Sequence, residues 1–322
     1  SMRTQTLPST DLTVSEICLG TGEMGGTIDR SASFALLDRY VAAGGNFLDT
    51  AHVYNDWIPG ERSRSEKMIG AWIKARGSRE KIILATKGGH HPVDGSPYIN
   101  RITPPDILLD LEESLANLGV DQVDLYWLHR DNTALPVGEI LLTLEKARAQ
   151  GKIRYYGASN WRVERLEEAA AFAQRNGLPG FVADQMLWTV AVTDANAIPD
   201  QTIVVMDETL FKYHLRTGQA ALAYTSQANG LFAKMASGTL ETTSPDLLEQ
   251  FPLEPNRRRL ERMQQVMRET GLTLTSVILG WLLSQPFVTI PIVGPKRLDH
   301  LDDSLSAAGV RLTAEQVSFI SA

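Results

Sequence analysis

The sequence of 322 residues contains one cysteine, Cys18. It therefore offers no internal disulfide and no cysteine-rich zinc or iron–sulfur centre. A chain with so little cysteine fits a reducing compartment, and we expect a cytoplasmic protein.

Long uninterrupted apolar runs are also missing. The most apolar stretch, residues 277–293, is broken by Pro286 and Pro291, so we expect no transmembrane helix. Residues 1–11 lack the apolar core of a secretory signal, and Ser1 is interpreted as a remnant of cloning.

Basic charge is scarce relative to acidic charge. Lys and Arg number 31 against 38 Asp and Glu, which gives a formal net charge of −7. This balance argues against nucleic acid or an anionic membrane as the main partner. Apolar residues make up 43% of the chain and no linker divides it, so we expect one globular domain over residues 1–322.

Short β-rich runs alternate with segments of helical period along almost the whole chain. Most runs are apolar at both alternating positions, as expected for parallel strands that are buried on two faces. The eight candidate strands are Glu16–Gly20, Asn46–Thr50, Lys81–Lys87, Val123–His129, Ile153–Ser159, Phe181–Met186, Ala221–Ser226 and Val288–Gly294.

Signals for helix ends support this alternation. Thr103, Pro104 and Asp106 form a capping pattern at the start of an apolar stripe that Gly119 ends. Eight β-then-α units over about 300 residues predict a (β/α)8 TIM barrel, for which about 250 residues are typical. Residues 9–14, with their turn signal, predict a short N-terminal hairpin that plugs the barrel bottom.

A doubly wound sheet is the competing architecture, because Gly20, Gly22 and Gly25 form a G-x-G-x-x-G pattern after the first strand. Those glycines should open a helix, whereas helical period here begins only near Ser31, so the barrel is preferred. Two segments, His90–Arg101 and Gln227–Asn256, are predicted to be long loops on the catalytic face.

Four chemically active residues follow adjacent strands: Asp49, Tyr54, Lys87 and His129. Strand ends converge at the catalytic face of such a barrel. A nearby ammonium favours the tyrosine phenolate, a carboxylate can hold the ammonium, and a histidine can orient a carbonyl. The set can protonate an oxygen but supplies no electron pair, so a hydride cofactor is implied.

Several motifs resemble the signatures of the aldo-keto reductase superfamily, in family order over residues 12–316. They are Asn46-Phe47-Leu48-Asp49-Thr50-Ala51 followed by Tyr54, Ala85-Thr86-Lys87, the run from Asp124 to Arg130, and Gly157-Ala158-Ser159-Asn160-Trp161. The resemblance implies an NADP(H)-dependent oxidoreductase that interconverts carbonyls and alcohols. It makes Tyr54 the general acid–base, with a pKa lowered by Lys87, while Asp49 pairs with Lys87 and His129 orients the carbonyl.

The resemblance also implies a cofactor site. Ser159, Asn160 and Gln185 match residues that hold the nicotinamide carboxamide, and Tyr224 matches the aromatic residue that stacks on the ring. The loop over the pyrophosphate corresponds to Thr225, Ser226, Gln227 and Gly230. The remaining cofactor residues that we assign are Thr21, Gly22, Asp49, Gly294, Lys296, Arg297, His300 and Ser304.

Two cations, Lys296 and Arg297, open a late helix and suit a phosphate dianion, which favours NADP over NAD. The sequence departs from the family pattern at three places. Ser304 replaces a usual Asn, His300 replaces Gln or Arg, and Ser226-Gln227 replaces a frequent Pro-Leu pair.

The substrate is expected to be a small carbonyl or alcohol, with Trp57, His90 and Trp161 as candidate pocket residues. An aromatic platform beside polar groups would suit a sugar. The same residues could instead form a solvated loop or pack helices onto the barrel. We expect a monomer or a small homo-oligomer.

Two alternatives remain from other functional classes. One is a regulatory protein that senses NADP(H) with little turnover. The other is a metal hydrolase that uses His52, His90 and His91, although adjacent His90 and His91 point to different sides if the segment is extended. The basic run Asn256–Arg259 is interpreted as the solvated face of a helix.

Overall fold

The computed structural model describes residues 1–322, and eight parallel strands close into a barrel. A two-stranded antiparallel sheet precedes the barrel. The strands are β1 (Thr4–Thr6), β2 (Thr13–Ser15), β3 (Cys18–Gly20), β4 (Phe47–Asp49), β5 (Ile83–Gly88), β6 (Val123–Leu128), β7 (Ile153–Ser159), β8 (Ala183–Leu187), β9 (Ala220–Tyr224) and β10 (Thr289–Val293).

Helices follow the barrel strands and surround them. They are α1 (Arg30–Ala42), α2 (Arg64–Arg76), α3 (Pro104–Leu118), α4 (Val137–Ala149), α5 (Val163–Arg175), α6 (Glu208–Thr217), α7 (Leu231–Ser237), α8 (Pro245–Gln250), α9 (Leu253–Thr270), α10 (Leu274–Leu283), α11 (Leu298–Leu305) and α12 (Ala314–Ser321). Each barrel strand pairs with its sequence neighbours, and β10 closes onto β3. The predicted (β/α)8 barrel is confirmed. No helix is long and apolar enough to cross a membrane.

Local signals explain where helices begin and end. The Thr103 hydroxyl caps α3 by accepting from the Asp106 amide, and Gly119 ends it in a left-handed conformation with φ of 64°. Asp29, not a glycine, caps α1. The G-x-G-x-x-G segment is thus a loop ahead of the helix, which rules out the dinucleotide-binding turn of a doubly wound sheet.

The barrel interior is apolar at its bottom. Leu7, Leu12 and Val14 from the hairpin segment are buried in one cluster with the inward residues Phe47 and Leu125. The hairpin therefore plugs the barrel bottom as expected.

A glycine makes room for the largest side chain inside the barrel. A Cβ at Gly157 would lie 2.6 Å from the ring of Trp127, which is fully buried. Above this level the inward positions become polar, and they form the site described below.

One expected loop and the interpretation of the basic run need correction, and one long connection was missed. Residues 227–256 are not a long loop, because α7, α8 and the start of α9 occupy most of them. A third long connection, residues 188–207 between β8 and α6, was missed. The basic run does not present a purely solvated face either: Asn256 is fully buried, and Arg259 donates to the carbonyls of Val190 and Ser321.

Candidate active site

The four residues predicted to act together meet at the carboxyl end of the barrel. Asp49 ends β4, Lys87 lies inside β5, His129 directly follows β6, and Tyr54 lies in the turn after β4. Lys87 Nζ donates to Asp49 Oδ2 at 2.5 Å, to the Thr50 carbonyl at 3.1 Å and to the Tyr54 hydroxyl oxygen at 2.7 Å. The ammonium therefore has all three of its donors in use.

Burial and charge set the protonation states of this group. Burial opposes the charge of Lys87, but Asp49 and Tyr54 outweigh it and raise the pKa of the ammonium. Burial also raises the pKa of the Tyr54 hydroxyl, and the ammonium of Lys87 offsets only part of that increase. The lowered pKa of Tyr54 expected from the sequence took account of the Lys87 ammonium but not of the desolvation of the phenol. At pH 7 the phenol is protonated and able to donate.

His129 presents a neutral imidazole to the same space. Burial, followed by the neighbouring His90, Lys87 and Arg130, lowers its pKa well below the usual range. Its ring lies edge-on to that of Tyr54, with 6.0 Å between centroids. The buried Nδ1 atom has no hydrogen-bond partner. A ring nitrogen in this environment is suited to a ligand contact.

Polar side chains from the next strands continue the inward face beyond these four residues. Gln185 Nε2 donates to Asp49 Oδ1 at 3.4 Å, and the Tyr224 hydroxyl donates to Asn160 Oδ1 at 2.6 Å. Asn160 Nδ2 donates in turn to the His129 carbonyl and to Ser159 Oγ. The structure thus brings together the residues assigned to the nicotinamide carboxamide.

The segment after β9 lies against β10 and the last turn of α11. Ser226 Oγ donates to the Ile292 carbonyl at 2.6 Å, and Gln227 Nε2 donates to Ser304 Oγ at 3.0 Å. Thr225 and Gly230 have positive φ values of 53° and 79°. Ser226, Gln227 and Ser304 are positions where the sequence departs from the family pattern. Ser226 and Gln227 hold the segment against β10 and α11 by hydrogen bonds, and Ser304 accepts the bond from Gln227.

The two cations at the start of α11 are exposed and already paired with carboxylates. Lys296 Nζ lies 3.1 Å from Glu23 Oε2, and Arg297 donates to Asp299 at 3.1 Å. Arg297 Nη2 is also 2.9 Å from His300 Nε2. Space around Gly294 is open, since a Cβ there would meet no atom within 4 Å. Exposed pairs of this kind exchange partners at small cost.

The loop after β3 completes the rim. The hydroxyl of Thr21 is buried and donates to the Asp49 carbonyl at 3.0 Å, so it supports the strand end. Gly22 lies beside Tyr54, whose ring would be 4.0 Å from an added Cβ.

The three candidate substrate residues fall into different environments. Trp57 is half exposed in the turn after Tyr54, and the His90 ring packs edge-on against His129 at 4.5 Å. Trp161, however, is fully buried, donates to the Arg130 carbonyl and packs against Phe181. Its assignment to the pocket was wrong. The motif that contains Trp161 starts in strand β7 and ends after it, where the Trp161 ring is buried against Phe181.

Sequence reasoning missed an ion pair at the edge of the site. Arg130 is buried and donates to Asp200 Oδ2 at 3.0 Å and to Thr202 Oγ1 at 2.8 Å. Asp200 and Thr202 belong to the overlooked connection, residues 188–207. The distance of 34 residues between the predicted strands ending at Met186 and starting at Ala221 was an available signal, because one helix does not fill it.

The fold is a (β/α)8 barrel in which Asp49, Tyr54, Lys87 and His129 meet at the carboxyl end of the strands. A family model described as "Aldo/keto reductase family" matches residues 16–322, and the chain belongs to this family. Its members are oxidoreductases that act on carbonyl groups and generally use a nicotinamide cofactor.

Individual relatives agree with this assignment. The chain is 30% identical to the uncharacterized oxidoreductase YrpG of Bacillus subtilis, over 96% of this chain and 92% of the relative. It is 28% identical to an aryl-alcohol dehydrogenase [NADP(+)] of Phanerodontia chrysosporium, over 98% and 84%. Among solved structures, the thermostable aldo-keto reductase Tm1743, crystallised with the inhibitor epalrestat, matches with a TM-score of 0.73 and 25% identity, over 99% of both chains.

Proposed function

We propose that this protein is an NADP(H)-dependent reductase that interconverts a small carbonyl compound and its alcohol, with Tyr54 as the general acid–base. The observation that carries the proposal is the position of Lys87 Nζ, which bonds both Asp49 and the Tyr54 hydroxyl at the head of the barrel. NADPH would supply the hydride that no side chain can provide.

The residues of the chain have separate tasks in this mechanism. Tyr54 gives its proton to the carbonyl oxygen as negative charge develops there. Lys87, held by Asp49, stabilises the phenolate that remains, and a ring N–H of His129 orients the carbonyl. In the oxidation direction, Tyr54 takes the proton back from the alcohol.

The surrounding residues fit a dinucleotide. Ser159, Asn160 and Gln185 offer amide and hydroxyl partners for a carboxamide, and Tyr224 offers a ring for stacking. Thr225, Ser226, Gln227 and Gly230 would cover the pyrophosphate, with Thr21, Gly22 and Gly294 lining the rim. Lys296 and Arg297 would hold the adenosine phosphate, with His300 and Ser304 following on α11, Ser304 at the position of the adenine-binding residue. The name of the Phanerodontia relative supports the choice of NADP.

Two substrate classes have support. Half-exposed Trp57, with polar His90 in the connection after the adjacent strand, suits a sugar, as argued from the sequence. The name of the Phanerodontia relative instead suggests an aryl aldehyde or aryl alcohol. Comparing kcat/KM for sugars and for benzaldehydes decides between them, and values no better for sugars than for plain aldehydes would contradict the sugar hypothesis.

Stopped-flow oxidation of bound NADPH by a panel of carbonyl compounds tests the proposed activity. We expect rapid loss of NADPH absorbance with at least one aldehyde or ketone, and formation of NADPH in the reverse reaction. A regulatory protein would bind NADPH and turn it over hardly at all with any compound. That outcome would contradict the proposal.

A further inference from the structure

Two adjacent histidines and an aspartate meet beside His129 at the carboxyl end of the barrel. His91 Nε2 lies 3.6 Å from Asp200 Oδ2, which is longer than a hydrogen bond. The rings of His90 and His91 stack, with 4.1 Å between centroids, and do not diverge as they would in an extended segment. One potential ligand atom from each of the three residues lies within 4.8 Å of the other two.

We propose that His90, His91 and Asp200 form a binding site for a zinc-type divalent ion, and that an ion held there inhibits the enzyme. Two ligand atoms at zinc distances and tetrahedral angles are about 3.3 Å apart. The ligand atoms of this cluster lie within 4.8 Å of one another, so each pair must approach by at most about 1.5 Å. Two imidazoles and one carboxylate are ordinary zinc ligands, and they leave a fourth position for water.

The hydrogen bonds around the cluster prepare it for an ion. His90 Nδ1 lies 2.7 Å from the His91 carbonyl. A carbonyl oxygen can only accept, so Nδ1 carries the proton and His90 Nε2 keeps a free lone pair. A backbone carbonyl that fixes a histidine tautomer in this way is a common second partner at zinc sites.

His91 and Asp200 are also suited to the role. The Nε2 atom of His91 is the ring nitrogen that faces the carboxylate, 3.6 Å from Asp200 Oδ2, and it keeps a lone pair when Nδ1 carries the proton. Asp200 Oδ1 accepts from the amide and the hydroxyl of Thr202, and Oδ2 accepts from Arg130, which together fix the carboxylate. An oxygen with two lone pairs can accept one bond and still ligate an ion.

A neighbouring cation limits the site. The Arg130 guanidinium donates to Asp200 Oδ2 at 3.0 Å and repels a dication, so we expect weaker binding than at a closed four-ligand site.

The position of the cluster predicts the type of inhibition. The ring of His90 contacts His129 at 4.5 Å, next to Tyr54. An ion at His90 lies beside His129, where the carbonyl substrate is expected to bind. It does not lie at the start of α11, where the adenosine phosphate is expected. Inhibition should therefore be competitive with the carbonyl compound and not with NADPH.

Calorimetric titration of the whole protein with zinc chloride tests the site, and it does not depend on enzymatic activity. We expect one site per chain, weakened at least about tenfold in His91→Gln, because loss of an outer-shell partner alone costs about 10–100-fold. Asp200→Asn is the second variant. His52→Gln is the matched control, since His52 belongs to a separate group with Asp110 and Glu113.

The inhibition experiment rests on the proposed function. Zinc chloride should raise KM for the carbonyl substrate, EDTA should reverse the effect, and His91→Gln should abolish it with unchanged thermal unfolding. Absence of a one-site titration, equal binding by wild type and His91→Gln, or loss of binding in His52→Gln would each overturn the site. One-site binding that needs His91, in a protein without turnover, would support the site and contradict the proposed activity instead.

Discussion

Two buried pairs of ionisable side chains lie on opposite faces of the barrel wall. On the inner face, Lys87 and Asp49 are 2.5 Å apart and almost inaccessible. On the outer face, Asp184 of β8 and His214 of α6 are 2.9 Å apart and equally buried. Burial and pairing alone therefore do not distinguish a catalytic group from a structural one.

The third partner of each pair makes the difference. Lys87 also bonds the Tyr54 hydroxyl, which carries a proton, and Tyr54 is only partly buried. His214 bonds the Gln219 carbonyl, and the rings of Tyr213 and Phe287 close over it. Under the proposed function, the inner pair serves proton exchange between Tyr54 and a substrate, whereas the outer pair holds α6 against the barrel.

The largest effect is expected from Lys87→Met. It leaves Asp49 buried without its cation, and it removes the group that stabilises the Tyr54 phenolate, so kcat should fall at least about 10²-fold. Unfolding free energy should also fall by about 3–5 kcal/mol, as for other broken buried pairs. Steady-state kinetics and urea unfolding measure both effects, and Lys74→Met at an exposed position of α2 is the control. Retained activity would remove Lys87 from the mechanism.

His214→Leu should separate stability from activity. It leaves the Asp184 carboxyl buried without its partner, which should cost about 3 kcal/mol of unfolding free energy. Because the pair faces α6 and not the cleft, kcat and KM of the folded variant should be unchanged. A tenfold loss of kcat without unfolding would show that the outer pair also serves catalysis.

Lys296→Ala extends the comparison to an exposed pair. Lys296 and Glu23 are largely solvated, so unfolding free energy should change by less than about 1 kcal/mol. The Kd for NADPH should rise about tenfold, as expected for one charge-assisted phosphate contact, and the Kd for NADH should be unaffected. Fluorescence titration measures both constants, and equal weakening of the two would place Lys296 away from the phosphate.

The smallest effect concerns the pH dependence of stability. Burial and Arg130 lower the pKa of His90 to about 3, so the unfolded chain takes up a proton there first as pH falls below about 6.5. This histidine therefore costs stability between pH 7 and pH 4. His90→Gln should reduce the loss of unfolding free energy between pH 7 and pH 5 by about 1–2 kcal/mol. An unchanged pH profile in urea unfolding would show that His90 is not desolvated as described.

The parts of the fold and site that the sequence predicted are those that follow from strand ends. Asp49, Lys87 and His129 converge because parallel strands of a barrel end at one rim, and this needs no knowledge of the loops. The expected plug at the barrel bottom was likewise readable from the turn at residues 9–14.

The parts that were missed depend on loop conformation and on short helices. Helices α7 and α8 span 7 and 6 residues, too few for a periodic pattern, although Ser244 before Pro245 was a readable start signal. The meeting of His91 with Asp200 joins residues more than 100 positions apart through two irregular segments. The stacked rings of His90 and His91 also show that their side chains do not alternate as they would along a strand, so the strand pattern could not predict their common direction.

Single-turnover kinetics of Tyr54→Phe test the central claim most directly. NADPH is bound first, its affinity is measured by fluorescence, and an aldehyde is then added while NADPH absorbance is followed. The account predicts an unchanged Kd for NADPH and a hydride-transfer rate lowered by about 10²–10⁴-fold, the range for loss of a general acid. A rate close to that of the wild type would show that another group protonates the carbonyl oxygen.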